Sequence, residues 1–168
     1  MNQCVLVFAS LVTISAAAVA SDYDTGMKAL ERADYSTAFS ALHKAAAAGN
    51  ATAERSIGFM YYKGQGVPQD VAIAELWFIK AAEHGDLQSQ VNLGMMYENG
   101  LSVPKDASRS ALWFLRAAEQ GDRQSQMRIG EILYLGEGMP KDYVEADKWW
   151  KVAMSVADDS YTTWMRPM

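Results

Sequence analysis

The sequence repeats itself with a period of 36 residues, and this period constrains the fold more than any other feature of the chain. A shift by one period aligns glycines, prolines and tryptophans of three consecutive segments. The aligned sets are Gly58, Gly94 and Gly130; Gly64, Gly100 and Gly136; Pro68, Pro104 and Pro140; and Trp77, Trp113 and Trp149. A fixed period of this length is typical of solenoids, in which each repeat is one supersecondary unit that packs on its neighbours.

Each repeat carries signals for two helices joined by a loop. Asparagine and aspartate residues that can cap a helix recur before each expected helix, because their side-chain oxygens accept hydrogen bonds from free backbone N–H groups. These caps are Asn50, Asp86 and Asp122 for the first helices and Asp70, Asp106 and Asp142 for the second helices. Glycines that favour left-handed backbone, and a proline that ends a helix, stand between them. Each repeat is therefore predicted to be a helix hairpin.

Three of the aligned glycines, Gly58, Gly94 and Gly130, lie inside the predicted first helices. A glycine in this position costs about 1 kcal/mol relative to alanine, so its recurrence requires a compensating contact. We expect a neighbouring helix to approach so closely that no β-carbon fits, and we expect the aligned tryptophans of the second helices to make this contact.

The period predicts an all-α fold, namely an α/α solenoid of three 36-residue helix hairpins preceded by an N-terminal capping hairpin. The capping hairpin keeps part of the register but lacks the tryptophan and the glycine-rich loop. The expected segments are a signal peptide at 1–20, the capping hairpin at 21–48, repeats at 49–84, 85–120 and 121–156, and a C-terminal tail or cap at 157–168.

The first 20 residues carry no charged side chain and end in Ala18-Val19-Ala20, which is typical of a secretory signal peptide cut after Ala20. The alternative is an uncleaved membrane anchor, but the apolar run is shorter than the roughly 20 residues that a spanning helix needs. The only cysteine, Cys4, lies in this segment. We therefore expect a periplasmic or secreted protein without cysteine and without direct membrane insertion after cleavage.

The composition excludes several kinds of partner and site. The net charge of −5 and the absence of a basic run argue against nucleic acid as a partner. The two histidines, His43 and His84, are too few for a histidine-rich metal site, and His84 is expected in the last turn of a helix, where a cation suits the helix dipole. The glycine-rich loops lack the lysine of a phosphate-binding loop. We expect a monomer with no cofactor, no metal and no catalytic residue.

The second repeat closely resembles the Sel-one-like repeat (SLR), a helix pair related to the tetratricopeptide repeat. The resemblance is carried by the stretch from Asp86 to Gly100, by Val103-Pro104-Lys105-Asp106 and by the stretch from Ala111 to Glu119, and it extends from Asp34 to about Ala157. It implies a right-handed α/α solenoid whose concave face binds other proteins in scaffolding, signalling or regulation, often in a bacterial envelope. It implies no reaction.

An enzymatic alternative is a β-lactamase-like hydrolase, because some cysteine-rich relatives of this family have been associated with β-lactam binding or hydrolysis. Penicillin-recognising enzymes require Ser-x-x-Lys together with Lys-Thr-Gly. The sequence lacks Lys-Thr-Gly, so this set is incomplete and the hydrolase is not favoured.

The candidate binding residues are those of the first helices that differ between repeats once the repeated core positions are removed. The resemblance implies that the first helices line the concave face, and aromatic residues, methionine and arginine are typical of interfaces. The predicted partner-binding residues are Arg55, Phe59, Tyr62, Asn92, Met95, Arg128, Glu131 and Tyr134. The alternative for Phe59, Met95 and Tyr134 is packing between neighbouring repeats.

The predicted function is non-enzymatic binding of a protein or peptide, as an exported envelope scaffold or regulator. The alternative is an inhibitor or immunity protein that neutralises a partner enzyme. The tail, with Tyr161, Trp164 and Met165, is expected either to fold over the end of the third repeat or to dock on a partner.

Overall fold

A computed structural model describes residues 3–101 and 103–155, with side chains from residue 17 onward. This part of the chain is all-helical, as predicted. Its helices are α1 (Gln3–Glu31), α2 (Tyr35–Ala47), α3 (Ala51–Lys63), α4 (Val71–Glu83), α5 (Leu87–Asn99), α6 (Ala107–Glu119), α7 (Arg123–Leu135) and α8 (Tyr143–Ser155). The expected tail at 157–168 lies outside the described residues.

The predicted caps define the helix starts. The Asn50 side chain accepts a hydrogen bond of 2.9 Å from the Ala53 backbone N–H at the start of α3. The Asp70 side chain accepts a hydrogen bond of 3.0 Å from the backbone N–H of Ile73 in α4. The Asp106 side chain accepts one from the backbone N–H of Arg109 in α6. The helices after α1 each have 13 residues, and the connecting loops give the predicted hairpin in every repeat.

The helices form two compact units, of which unit 1 ends at Asp86 and unit 2 begins at Leu87. Unit 1 contains α1 to α4. Its core is built around Leu42, Ile57 and Met60, which are fully buried. Residues of α1 pack against this core, and they include Val19, which precedes the expected cleavage point.

Unit 2 contains α5 to α8. One core cluster joins Phe114 of α6 to Ile129 and Ile132 of α7, with Trp149 and Trp150 of α8 packed against it. The loop between α7 and α8 also contacts α6. A β-carbon added to Gly138 would overlap the backbone carbonyl of Ala107, and Gly138 has a φ of +81°, so this position admits glycine alone without distortion.

The glycines inside the first helices make the close helix contact that was predicted, but the predicted partner residues were wrong. A β-carbon on Gly58 would lie 2.8 Å from the Phe78 ring, and one on Gly94 would lie 2.9 Å from the Phe114 ring. Each ring belongs to the residue after the aligned tryptophan. One residue turns a helix by about 100°, so Trp77 points elsewhere and its ring lies edge-on to His43 of α2.

The N-terminal hairpin repeats this contact with a different spacing. A β-carbon on Gly26 of α1 would lie 2.6 Å from Leu42 of α2. Leu42 stands 36 residues before Phe78, whereas Gly26 stands 32 residues before Gly58. The connection between α1 and α2 is four residues shorter than the loop between α3 and α4, which explains the difference.

Within the described part of the chain, no helix is both long enough and apolar enough to cross a membrane.

Candidate functional site

The predicted partner-binding residues lie on three first helices. Arg55, Phe59 and Tyr62 are on α3 in unit 1, Asn92 and Met95 are on α5 in unit 2, and Arg128, Glu131 and Tyr134 are on α7 in unit 2. The predicted residues are therefore distributed over both units.

In unit 1, two of the three predicted residues are engaged by neighbouring side chains. The Arg55 guanidinium forms an ion pair of 3.4 Å with Asp86. The half-buried Phe59 ring packs edge-on against Phe78 of the same hairpin, with 5.0 Å between ring centroids. Tyr62 is exposed. Phe59 thus packs within its own hairpin, and Tyr62 is the residue of this group that is most open to a partner.

In unit 2, the predicted residues Arg128 and Glu131 meet in an ion cluster with Glu98 of α5. The Arg128 guanidinium lies 2.6 Å from a Glu131 carboxylate oxygen and also contacts the Glu98 carboxylate. Burial opposes the charge on Arg128, but its hydrogen bonds with Glu131 and Glu98 outweigh burial and raise the pKa of the guanidinium. The cluster fixes the Arg128 side chain between two helices.

A small cavity opens beside this ion cluster. Its volume of about 110 Å³ has room for one side chain or a few water molecules. The walls combine apolar and charged groups, and the lining residues are Tyr97, Glu98, Lys105, Ala107, Ser110, Arg128, Ile132 and Glu137. A cavity with an apolar wall and a few charged groups is suited to bind and orient a side chain.

The remaining predicted residues of unit 2 have different surroundings. Met95 is exposed on α5. Asn92 accepts a hydrogen bond of 3.1 Å from Gln88 of the same helix. Tyr134 is exposed and belongs to an aromatic cluster of the α7–α8 hairpin, with its ring 5.3 Å from Tyr143 and 5.8 Å from Trp150. The structure does not bring Tyr134 into the cavity.

One recurring feature was missed, which we call the buried polar position. It holds Glu54, Gln90 and Gln126, which are 36 residues apart and buried. The Glu54 carboxylate lies 2.7 Å from Nδ1 of His84 and 3.1 Å from Nζ of Lys80. His84 caps the end of α4, as its predicted place in the helix requires, and it also binds this buried carboxylate. The period itself could have found the position, because all three residues are polar.

No group of three His, Cys, Asp or Glu side chains that could hold a metal ion occurs among the described residues. One Ser-x-x-Lys string does occur, from Ser102 to Lys105 in the loop between α5 and α6. Ser102 lies outside the described residues, and Lys105 precedes the start of α6 at Ala107.

Known structures resemble the chain over most of its length. A Sel1 repeat protein from Oxalobacter formigenes is 34% identical, with a TM-score of 0.69 over 82% of this chain and 57% of its own. The protein c5321, a protective antigen present in uropathogenic Escherichia coli strains and displaying an SLR fold, is also 34% identical, with a TM-score of 0.71. That match covers 88% of this chain and 33% of c5321. The chain thus spans 57% and 33% of the lengths of these two proteins.

Helicobacter pylori cysteine rich protein B is 23% identical, with a TM-score of 0.51 over 71% of this chain and 90% of its own, and this likeness concerns the fold alone. No curated protein matches the chain.

The model of the Sel1 repeat family matches residues 14–50, 51–86, 87–122 and 123–153. The first match includes the N-terminal hairpin. These findings confirm the SLR resemblance and the α/α solenoid class, and the chain belongs to the Sel1 repeat family, whose members are generally non-enzymatic protein-interaction modules.

Proposed function

We propose that this chain is an exported binding module that holds a protein or peptide on the surfaces of its first helices, as an envelope scaffold or regulator. The observation that supports this most directly is the ion cluster of unit 2. Arg128 is held between Glu98 and Glu131 at the edge of the cavity. Arginine is enriched among the residues that dominate binding energies, and an ordered side chain loses less entropy on binding.

The charges of the cluster favour a particular kind of partner side chain. Two carboxylates share one guanidinium, so the cluster keeps a net negative charge. The other two charged lining residues, Lys105 and Glu137, have opposite sign and offset each other. We therefore expect the cavity to take a cationic side chain of the partner, with its aliphatic part against Ile132 and its charge near Glu98.

The Arg128→Ala variant is expected to weaken partner binding by about tenfold or more, the equivalent of roughly 1.4 kcal/mol. The loss is expected because Arg128 holds the Glu98 and Glu131 carboxylates in the arrangement that the cationic side chain of the partner would meet. The partner is first captured from the native envelope with the full chain and identified by mass spectrometry. Its Kd is then measured by calorimetry.

The control is Arg123→Ala, because Arg123 is an exposed arginine of the same helix and is not among the residues lining the cavity. Equal losses of affinity in the two variants would contradict a role for the cavity.

The Kd of the unmodified chain, measured by the same calorimetry, distinguishes the two binding functions. A regulator is expected in the micromolar range, whereas a Kd near nanomolar, a difference of about 4 kcal/mol, would favour an inhibitor.

Export is proposed from the uncharged N-terminal segment and its small residues before Ser21. The intact mass of the protein recovered from the periplasm or medium is expected to match a chain that begins at Ser21. A recovered species that still begins at Met1 would contradict cleavage after Ala20.

A further inference from the structure

The cavity of unit 2 begins at a position that carries a tyrosine in unit 1. Tyr35 is the first residue of α2, directly after the cap Asp34, and Ala107 is the first residue of α6, directly after the cap Asp106. The two residues are 72 positions apart, which is two repeat periods. Ala107 lines the cavity, and its side chain ends at the β-carbon. The space beside Ala107 is therefore open at the place where unit 1 carries a phenol ring.

The loops that approach these two positions are built in the same way. A β-carbon added to Gly66 would lie 2.5 Å from Cβ of Tyr35, and one added to Gly138 would overlap the backbone carbonyl of Ala107. Gly66 and Gly138 are also 72 residues apart, and both have a positive φ. In unit 1 the Tyr35 side chain packs against the core. The same backbone arrangement thus surrounds a filled position in unit 1 and an open position in unit 2.

A comparison of the surrounding side chains shows which group suits the open position. The apolar wall is kept, because the cavity-lining Ile132 stands 72 residues after Met60, which belongs to the core that Tyr35 contacts. In unit 1 the Gln65 side chain donates a hydrogen bond of 3.4 Å to the Tyr35 hydroxyl. The equivalent residue of unit 2 is Glu137, whose ionised side chain only accepts hydrogen bonds. The group that fills the cavity must therefore be a donor at this point.

A second wall changes from apolar to acidic. Leu30 and Glu98 each stand four residues after a glycine that lies inside a helix and contacts the next helix, Gly26 and Gly94. Leu30 packs against the core of unit 1, whereas Glu98 lines the cavity. The charged groups of the cavity and its ion cluster leave one negative charge in excess, and these groups are Glu98, Glu131, Glu137, Lys105 and Arg128. One cationic group of the partner would make the site neutral.

We infer that the partner inserts an arginine side chain into the cavity, in the space that corresponds to the Tyr35 side chain of unit 1. The inference rests on the proposed function and narrows the expected cationic side chain to one. The aliphatic part of the arginine lies against Ile132, and its guanidinium donates to the carboxylates of Glu98 and Glu137. A guanidinium is planar like a phenol ring and carries several N–H groups, whereas the ammonium of lysine is a compact charge. The shape and the acceptors of the cavity therefore favour arginine.

Blocked tripeptides test the inference on the full chain. Acetyl-Gly-Arg-Gly-amide and the peptides with lysine or tyrosine in the middle are titrated against isotope-labelled protein, and Kd is obtained from the NMR shifts of the cavity residues. The arginine peptide is expected to bind at least about fivefold more tightly than the other two. Equal binding of the lysine peptide would overturn the inference. Tighter binding of the tyrosine peptide would overturn it in favour of a neutral ring, and the absence of shifts with every peptide would also overturn it.

A change of the acceptor tests the contact without a change of volume. Glu137→Gln is expected to weaken the arginine peptide by about threefold or more, because the carboxylate that accepts from the guanidinium is replaced by a neutral amide. Glu119→Gln is the control, since Glu119 is an exposed residue of α6 that does not line the cavity. Equal affinities of the two variants would contradict the contact with Glu137.

A tyrosine at position 107 tests the equivalence with Tyr35. Ala107→Tyr is expected to raise Tm by about 2–4 °C and to weaken the arginine peptide at least about tenfold, because the new ring fills the cavity. The control is Ser108→Tyr, since Ser108 is exposed, does not line the cavity and is turned by about 100° on the helix. Unchanged peptide affinity in the Ala107→Tyr variant would overturn the inference. The Arg128→Ala experiment uses the captured partner instead of these peptides, so the two proposals can fail separately.

Discussion

Replacement of Gly138 by alanine is expected to destabilise unit 2 by about 2–5 kcal/mol. Two costs combine at this residue. Its φ of +81° is unfavourable for a residue with a β-carbon, and the added carbon would overlap the backbone carbonyl of Ala107 at the start of α6. A backbone group cannot rotate away as a side chain can, so the loop or the helix must shift.

The matched control is Gly121→Ala. Gly121 also has a positive φ, of +92°, but no atom lies within 4 Å of its added β-carbon. This variant is expected to lose only the conformational cost of about 1–2 kcal/mol. The free energy of unfolding of each variant is measured by urea denaturation, with circular dichroism as the signal. The close approach of the loop to α6 would be contradicted if the two variants were equally stable.

Leu42→Ala is expected to destabilise unit 1 by about 2–5 kcal/mol, because it leaves a cavity in a fully buried part of the core. Leu42 belongs to α2 of the N-terminal hairpin and lies against Gly26 of α1. The same core contains Ile57 and Met60 of α3. The variant therefore weakens α1, α2 and α3 together, and hydrogen exchange is expected to rise in all three helices.

Leu76→Ala provides the comparison with the same chemical change on a side chain that is 66% exposed in α4. Its expected effect is below about 0.5 kcal/mol. Exchange that rises in α1 and α2 of the Leu42→Ala variant while α3 stays unchanged would show that the N-terminal hairpin is a separate folding unit.

The repeated features of the fold were predictable because they depend on local chemistry. Asn50, Asp70 and Asp106 cap their helices through side chains only three residues away from the bonded N–H groups. At Gly58, the close approach of a neighbouring helix was predictable, but the side chain that makes the contact was not. Trp77 and Phe78 are adjacent aromatic residues that point about 100° apart on a helix, so the recurrence of an aromatic residue does not by itself show which ring faces α3. The N-terminal contact of Gly26 was missed because a shorter connection shifts its spacing from 36 to 32.

The candidate site was predictable in part. The variation between repeats selected Arg128 and Glu131, which the structure brings into one ion cluster. Their partner Glu98 lies 30 residues from Arg128, and this distance is closed only by the packing of neighbouring hairpins. Phe59 was selected by the same variation, yet its ring packs on Phe78. Variation among repeats identifies positions that are free to change, and it does not separate binding residues from local packing.

The buried carboxylate of Glu54 has a consequence for how this chain can change in evolution. Repeats that share one register can recombine, and an in-register deletion would join α3 to a later second helix. Joined to α8, Glu54 would find Val152 in place of Lys80 and Val156 in place of His84. A carboxylate would then be enclosed without a cation, which is strongly unfavourable. The charged residue thus disfavours an exchange of α4 for α8, whereas α6 would supply Arg116 and Gln120 at the same two positions.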